Sequence, residues 1–272
     1  MGIRRRFLGW LGQRVDSRPP PPVQRPFPSV VPPRPWTVLD PRLRADINWL
    51  LHDDLKTAID EARPMDVLTA LGDGLYRLPL LSPEGLTALQ IEFEEIQQAV
   101  ATGALRLSAP NSMNQAGFQL NEVNLAPLGE ALCKDVVQPL STVFRCMGSL
   151  QLADPHAFSV VYGRKADRDL AFHADDASVT LNVCVFSDAD GSEVQFEGVR
   201  CPEHRQEEAS PHEVVVWTPR SGEAVLHLGA HRHRTLPIQS GCRTNLVVWC
   251  RDAKRVDLGD CGPWCRTTQP EN

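Results

Sequence analysis

The chain lacks any uninterrupted apolar run of the roughly 20 residues that a membrane-spanning helix requires. Its start, MGIRRRFLGWLG, also lacks the apolar core and cleavage site of a secretory signal. The 28 Lys and Arg are outnumbered by 34 Asp and Glu, so the formal net charge of -6 provides no field that would attract nucleic acid or anionic lipid. These absences predict an intracellular, cytoplasmic protein that binds no nucleic acid.

The N-terminal segment has an unusual composition. Its first 15 residues contain four arginines and no acid, and a helix there would gather its apolar side chains on one face, which also fits an organellar presequence. A disordered basic tip is the simpler interpretation. Residues 18–38 are rich in proline, which favours an extended linker and provides a segment that could recruit SH3 or WW modules.

Cysteine occurs eight times, but no pair has the CxxC spacing, and no Cys/His pair has the paired spacing of a zinc module. In a chain of this size without a secretory signal, we expect reduced thiols that pack as small apolar side chains. Cys261 and Cys265 lie near the end of the sequence and are too isolated to be given a role.

The first half of the sequence has the apolar periodicity of helices. A capping residue followed by proline predicts helices that begin at Pro41 and at Pro83. A third helical segment is expected at 124–148, and Pro139 should kink or interrupt it. The first half should therefore be mainly helical.

After Asp154 the pattern changes to short β-branched apolar runs separated by turn residues. Seven or eight strands with this spacing favour an α+β fold, a double-stranded β-helix or jelly-roll barrel with supporting N-terminal helices. These patterns divide the chain into four segments: a basic tip and linker at 1–38, a helical support region at 39–150, the barrel core at 151–254 and a C-terminal tail at 255–272.

His173 and Asp175 form an H-x-D motif at the end of a predicted strand. Strand alternation points both side chains to one face, and a second imidazole would complete the two-histidine, one-carboxylate set of a non-heme Fe(II) site. Position alone leaves three candidates for that imidazole: His227, His231 and His233. Arg243 begins the last apolar strand and supplies a cation that can pair with an anionic ligand. The remaining strand-start and loop histidines are expected at the surface: His156, His204 and His212.

A resemblance to a known family rests on three segments: PNSMNQAG at 110–117, FSVVYGRKADRDLAFHADDASVTLNVCV at 158–185 and LHLGAHRHRTLPIQSGCRTNLVVWCR at 226–251. They resemble the iron and 2-oxoglutarate-dependent dioxygenases of the prolyl and lysyl hydroxylase type. The resemblance implies His233 as the third ligand, because in that family the ligand precedes the anchoring arginine by about ten positions, as His233 precedes Arg243. It also implies 2-oxoglutarate as co-substrate and L-ascorbate as reductant.

The implied activity is that of an oxidoreductase. It would hydroxylate a C–H bond of a protein or peptide, on a lysine or proline side chain, while 2-oxoglutarate is decarboxylated to succinate. Tyr162 matches a position where the family often has a hydroxyl that binds the co-substrate, and strand alternation favours Asn182 as a polar pocket residue. Ala109 and Ala116 stand where an arginine and a tyrosine are expected, which concerns substrate contacts rather than the metal.

Two other functions fit parts of the pattern. A cupin-type metal protein would share the barrel, and His231 with His233 matches its H-x-H motif, but no suitably placed glutamate follows. A catalytically silent barrel that binds partners through residues 18–38 is the second. The complete set of three metal ligands and one arginine favours an enzyme over both.

Overall fold

The computed structural model describes residues 36–204, 206–254 and 265. The predicted basic tip, most of the proline-rich linker and nearly all of the predicted C-terminal tail lie outside these residues. Trp36 and Val38, at the end of the predicted linker, already pack against the main hydrophobic core. The boundary at residue 38 stays a prediction.

Capping side chains determine where the helices begin. Ser82 accepts a hydrogen bond from the N–H of Gly85 at 2.9 Å, and Pro83 takes the first helical position, so the second predicted helix begins where expected. The α-helices are α1 (Asp53–Asp60), α2 (Pro83–Ala101), α3 (Ala126–Ala131) and α4 (Gln138–Leu140). Short 3-10 helices span Pro41–Arg44, Asn48–Leu50, Pro64–Asp66, Leu120–Val123, Ser141–Val143, Arg145–Met147 and Pro211–Glu213.

The first predicted helix is interrupted. Pro41 begins a 3-10 turn with the predicted cap, but Asp46 then accepts a hydrogen bond from the N–H of Asn48 at 2.9 Å. This side-chain acceptor replaces the backbone carbonyl that a continuous helix would use, and the α-helical part begins only at Asp53.

Pro139 interrupts the third helical segment, as expected. Because proline has no N–H to donate, the preceding residues Leu132–Val137 form a π-helix between α3 and α4, and the N–H of Gln138 donates to the carbonyl of Cys133, five residues back.

Two antiparallel sheets form the second half of the fold. The strands are β1 (Thr69–Gly72), β2 (Leu75–Pro79), β3 (Gly117–Gln119), β4 (Leu152–Gly163), β5 (Leu170–His173), β6 (Val179–Ser187), β7 (Asp190–Gly191), β8 (Val194–Val199), β9 (Val214–Trp217), β10 (Glu223–Leu228), β11 (His231–Thr235), β12 (Ile238–Ser240) and β13 (Cys242–Asp252). The large sheet has the order β1-β2-β10-β6-β13-β4-β3, the small sheet has the order β5-β11-β8-β9, and β7 pairs with β12. This is the predicted jelly roll with supporting helices.

Three strands arise in the region predicted to be helical. Strands β1, β2 and β3 extend the large sheet at its two edges, and β2 pairs with β10 over the full length of the shorter strand. Short strands of this kind gain their stability from the sheet that they join, so their local apolar pattern does not predict them.

Alternation along β6 separates two cores. Leu181 and Val183 face the helices in the main core, whereas Cys184 packs with Phe196 and Trp217 between the two sheets. A third cluster includes Tyr162. The polar face of β6 therefore points into the space between the sheets, as the alternation predicted. No helix among the described residues has the length and apolarity needed to cross a membrane.

Candidate metal centre

Strand register brings the two predicted histidine ligands together. β11 pairs with β5 so that His233 lies directly opposite His173, and their ring centroids are 4.2 Å apart. Asp175 follows β5 by two residues, and its N–H donates to the carbonyl of Gly229 at 2.9 Å. A Cβ at Gly229 would lie 1.8 Å from the carbonyl oxygen of Ala177, so only glycine permits this close approach of the loop.

Asp175 Oδ1 faces both imidazoles. It lies 3.5 Å from Nε2 of His173 and 3.8 Å from Nε2 of His233. The donor atoms of the three residues all lie within 4.8 Å of one another. We call these three residues the facial trio. Two imidazole nitrogens and one carboxylate oxygen are the donor set that suits non-heme Fe(II).

Backbone carbonyls fix the tautomer of both imidazoles. Nδ1 of His173 lies 2.9 Å from the carbonyl oxygen of Ala171, and Nδ1 of His233 lies 2.8 Å from that of His231. Because a carbonyl oxygen can only accept, Nδ1 carries the proton in each ring. Nε2 then keeps its lone pair, which is directed towards the carboxylate and is available to a metal.

The structure distinguishes His233 from its two neighbours. Asp175 presents its other oxygen, Oδ2, to His227 at 3.7 Å, and the same oxygen accepts a hydrogen bond from Thr180 Oγ1 at 2.7 Å. His227 therefore lies behind the carboxylate rather than beside the shared oxygen. His231 is buried and packs edge-on against Phe196, outside the facial trio.

Burial controls the charges of the site. It lowers the pKa of His233 to about 3, with repulsion from His173 acting in the same direction, so this ring is neutral at physiological pH. Burial alone would raise the pKa of Asp175, but its contacts with the surrounding histidines hold that pKa below its usual range. An ionised carboxylate beside neutral imidazole is the state that binds a divalent cation.

Arg243 is completely buried in the wall of the same cavity. Its guanidinium lies 4.5 Å from the ring centroid of Tyr162, and one terminal N–H donates to Thr235 Oγ1 at 3.4 Å. Its Nε has no hydrogen-bond partner, and no carboxylate among the described residues is within ion-pair distance. Burial lowers the pKa of Arg243, since the charged form is desolvated.

Polar side chains surround Arg243 inside the cavity. The Tyr162 hydroxyl accepts hydrogen bonds from Thr235 Oγ1 at 3.3 Å and from Asn114 Nδ2 at 3.4 Å. The amide of Asn245 donates to the side-chain oxygen of Asn182. All of these residues line one cavity with the facial trio, so the structure brings every predicted site residue together.

Several cavity residues had no role assigned from the sequence. Asn114 lies within the P-N-S-M-N segment on which the resemblance partly rests, and Thr235 follows His233 by two residues on the same strand face. Strand parity identifies Thr235 as facing the site. Nothing in the local pattern indicates that Thr180 hydrogen-bonds Asp175, because that contact depends on the loop between β5 and β6.

Comparison with known proteins gives a consistent assignment. Residues 30–147 match the family model of the OGFOD2-like domain. This part of the chain is similar to an OGFOD2-like domain. The matched residues cover the predicted helical region, whereas two of the three segments that carry the resemblance lie in the barrel, at 158–185 and 226–251.

The chain is 32% identical over 205 residues to 2-oxoglutarate and iron-dependent oxygenase domain-containing protein CP2 of Arabidopsis thaliana, covering 74% of this chain and 52% of that protein. It is 32% identical over 225 residues to 2-oxoglutarate and iron-dependent oxygenase domain-containing protein 2 of Homo sapiens, covering 82% and 58%. It thus spans about half the length of these curated relatives. The predicted relationship to iron and 2-oxoglutarate-dependent oxygenases is confirmed.

A solved structure supports the fold. AviO1 from Streptomyces viridochromogenes superposes on the chain with a TM-score of 0.51 at 16% identity, covering 74% of this chain and 96% of that one. The chain therefore has the predicted barrel architecture.

Proposed function

We propose that the OGFOD2-like chain is an Fe(II)- and 2-oxoglutarate-dependent oxygenase that hydroxylates a peptidyl side chain of the lysine or proline type and converts 2-oxoglutarate to succinate. The observation that carries this proposal is a buried Arg243, in the same cavity as the facial trio, that forms no ion pair with any described carboxylate. An unpaired buried charge is costly, and a bound carboxylate would remove that cost.

The facial trio fits the metal. His173, Asp175 and His233 would hold Fe(II) through their two imidazole nitrogens and one carboxylate oxygen. When bound, the iron supplies the activation of O2 that couples oxidation of 2-oxoglutarate to oxidation of a C–H bond. The remaining steps of binding and orientation belong to side chains of the chain itself.

Arg243 would pair with the distal carboxylate of 2-oxoglutarate, and the hydroxyls of Thr235 and Tyr162 would complete the anchor. The cavity has about 30 Å³ of free space, which holds only a few water molecules. Binding therefore requires that lining side chains move. Met113, which is unbranched and flexible, lies in that wall and is suited to such movement.

A larger cleft also reaches the facial trio. It has a volume of about 1090 Å³, and His173 and Asp175 line both this cleft and the Arg243 cavity. A cleft of that size accepts a side chain together with flanking peptide. The co-substrate would thus occupy the Arg243 cavity and the target the larger cleft, which supports a peptide substrate. We propose L-ascorbate as the reductant.

The decisive experiment measures succinate formed from 2-oxoglutarate by the purified full chain with Fe(II) and ascorbate. We expect turnover with the wild type, none above background with His173→Ala, and full turnover with His212→Ala, an exposed histidine away from the cavity. Turnover that survives His173→Ala would exclude this iron site, and an inactive wild type would favour a silent barrel. Peptide libraries assayed by mass spectrometry for the gain of one oxygen would identify the target side chain.

A further inference from the structure

A second group of metal-binding side chains lies away from the facial trio. Nδ1 of His204 is 2.9 Å from Sγ of Cys201 and 3.6 Å from Sγ of Cys265. The three donor atoms lie within 4.8 Å of one another. Both thiols are fully buried, although Cys265 is 61 residues beyond His204 in the sequence. The expectation that His204 is a surface residue is therefore wrong, since its side chain is only 22% exposed.

We propose that Cys201, His204 and Cys265 bind a Zn²⁺ ion. Zinc binds thiolate sulfur at about 2.3 Å and imidazole nitrogen at about 2.0 to 2.1 Å in a tetrahedron, which places neighbouring donor atoms roughly 3.5 to 3.8 Å apart. The two distances from His204 to the sulfurs are 2.9 and 3.6 Å. Shifts of less than an ångström would thus bring these two nitrogen-to-sulfur distances to those of a zinc site.

The local chain positions two of the ligands in advance. Cys201 and His204 form the first and fourth residues of a turn in which the His204 N–H donates to the Cys201 carbonyl at 3.1 Å. Pro202 occupies the second position, where its fixed φ favours a turn. Just before the turn, the Arg200 guanidinium makes a two-pronged ion pair with Glu213, at 2.9 and 3.0 Å. The C-x-x-H pair therefore projects from a rigid end of β8.

The orientation of the His204 ring also suits a metal ligand. Nδ1 faces the two thiols, and Nε2 lies 3.7 Å from the carboxylate of Glu207. Metal-bound histidines commonly direct their second ring nitrogen to a carboxylate, which orients the ring and increases its basicity. A histidine with only a packing role would need neither the contact with the thiols nor the contact with Glu207.

The chemistry of the donors separates the two sites. Two thiolates and one imidazole are soft ligands that favour Zn²⁺, whereas the carboxylate and imidazoles of the facial trio favour Fe(II). The fully buried thiols are also poorly placed to act as exposed nucleophiles.

The proposed zinc site adjoins the substrate side of the molecule. Arg200, Pro202 and Gln206, around the C-x-x-H turn, line the large cleft together with His173 and Asp175. Zinc would therefore hold the cleft wall in one conformation and connect it to position 265, near the end of the chain. Loss of zinc should loosen this wall while the facial trio stays intact.

The test measures metal content in the full chain carrying Asp175→Ala, which removes the facial trio as a competing zinc site, purified under reducing conditions and supplied with Zn²⁺ alone before desalting. We expect about one zinc per chain in this background and in the same background with the buried-cysteine control Cys133→Ala. We expect less than about one tenth of that when Cys201→Ala or His204→Ala is added. Zinc retained with both added variants, or its absence from the Asp175→Ala background, would overturn the proposal, as would a Cys201–Cys265 disulfide found under those conditions.

Two further variants separate ligand loss from misfolding. His204→Cys replaces one zinc ligand by another and should retain zinc, whereas a purely structural need for histidine predicts loss. Cobalt(II) bound to the apo wild type should show a sulfur-to-metal charge-transfer band that Cys201→Ala lacks. Asp175→Ala should abolish succinate formation but retain zinc, so failure of the zinc proposal and failure of the proposed oxygenase activity give different results.

Discussion

Arg243 carries a charge in a place where charge is unfavourable. Its guanidinium is buried above Tyr162 and has one weak hydrogen bond to Thr235. Apolar side chains of similar size are often more stable than charged ones at such positions, so Arg243 is explained by binding an anion rather than by folding. Function and stability should therefore respond in opposite directions when this residue changes.

Arg243→Met should increase the free energy of unfolding of the ligand-free protein by about 1 to 2 kcal/mol. The same variant should raise the half-saturating concentration of 2-oxoglutarate at least tenfold while the requirement for Fe(II) changes little, because the trio is untouched. Urea unfolding and succinate assays measure both effects. Equal changes in the two requirements would contradict the anchoring role of Arg243.

Thr180 acts on the metal through Asp175. Its hydroxyl donates to Oδ2 at 2.7 Å and so turns Oδ1 towards the two imidazoles. Thr180→Val has the same shape without the donor and should lower Fe(II) affinity about 10- to 100-fold, the usual effect of losing such a contact. Titration of Fe(II) into the succinate assay tests this, with the exposed Thr87→Val as control. An unchanged iron requirement would show that Asp175 is held by its backbone alone.

At the scale of elements, pairing register assembles the site. His173 faces His233 only in the observed register of β5 and β11, and a shift by one residue would send one imidazole to the opposite face of the sheet. The loop after β5 then brings Asp175 to the two histidines, and a hydrogen bond from its N–H to the carbonyl of Gly229 holds it there. The metal centre is thus a property of three segments rather than of one motif.

The ion pair between Arg200 and Glu213 connects β8 to the 3-10 turn before β9 and should make stability depend on pH. Burial opposes ionisation of Glu213, but hydrogen bonds from Arg200 and Ser210 lower its pKa from 4.5 to about 2. A lowered pKa contributes stability above the unfolded value of 4.5, and this contribution is lost as the pH falls towards 2.

Glu213→Gln should therefore lower the free energy of unfolding by roughly 1 to 3 kcal/mol at neutral pH, and the difference from the wild type should shrink below about pH 4. Urea unfolding at several pH values measures this. Glu84→Gln, which removes an exposed ion pair with Arg42, should have almost no effect. A penalty for Glu213→Gln that does not change with pH would show that the carboxylate acts through packing alone.

At the scale of the whole molecule, a helical layer covers the outer face of the large sheet, and the small sheet covers the inner face. All described residues fall in one unit that begins at Arg34. The first described segment is fastened to this unit by the buried Glu92, which accepts hydrogen bonds from Trp36 Nε1 at 2.6 Å and from the N–H of Leu39 at 2.8 Å.

A chain that starts at Arg34 should keep the melting temperature of the full chain within a few degrees. A chain that starts at Ala45 should melt much lower, because Glu92 would keep its buried carboxylate without these donors, at a cost of about 2 kcal/mol or more, and the core would lose Leu43. Circular dichroism during heating compares the two. Equal melting temperatures would show that the segment before Ala45 contributes nothing to folding.

Local sequence determined the chemistry and much of the fold. The H-x-D motif, the strand alternation of β6 and the capping signal at Ser82 each concern residues close in the chain, where spacing fixes side-chain direction. The interruption of the first helix at Asp46 and the strand β2 were not predicted, because they depend on competing hydrogen bonds or on a sheet formed by distant residues.

Tertiary structure decided what spacing leaves open. The resemblance favoured His233 over His227, but only the orientation of Asp175, with one oxygen towards the imidazoles and the other towards Thr180, gives a physical reason. Cys265 reaches Cys201 and His204 across 61 or more residues, and no local pattern encodes such a contact. The sequence specifies the type of each side chain, whereas contacts between distant side chains depend on strand register and on how the sheets pack.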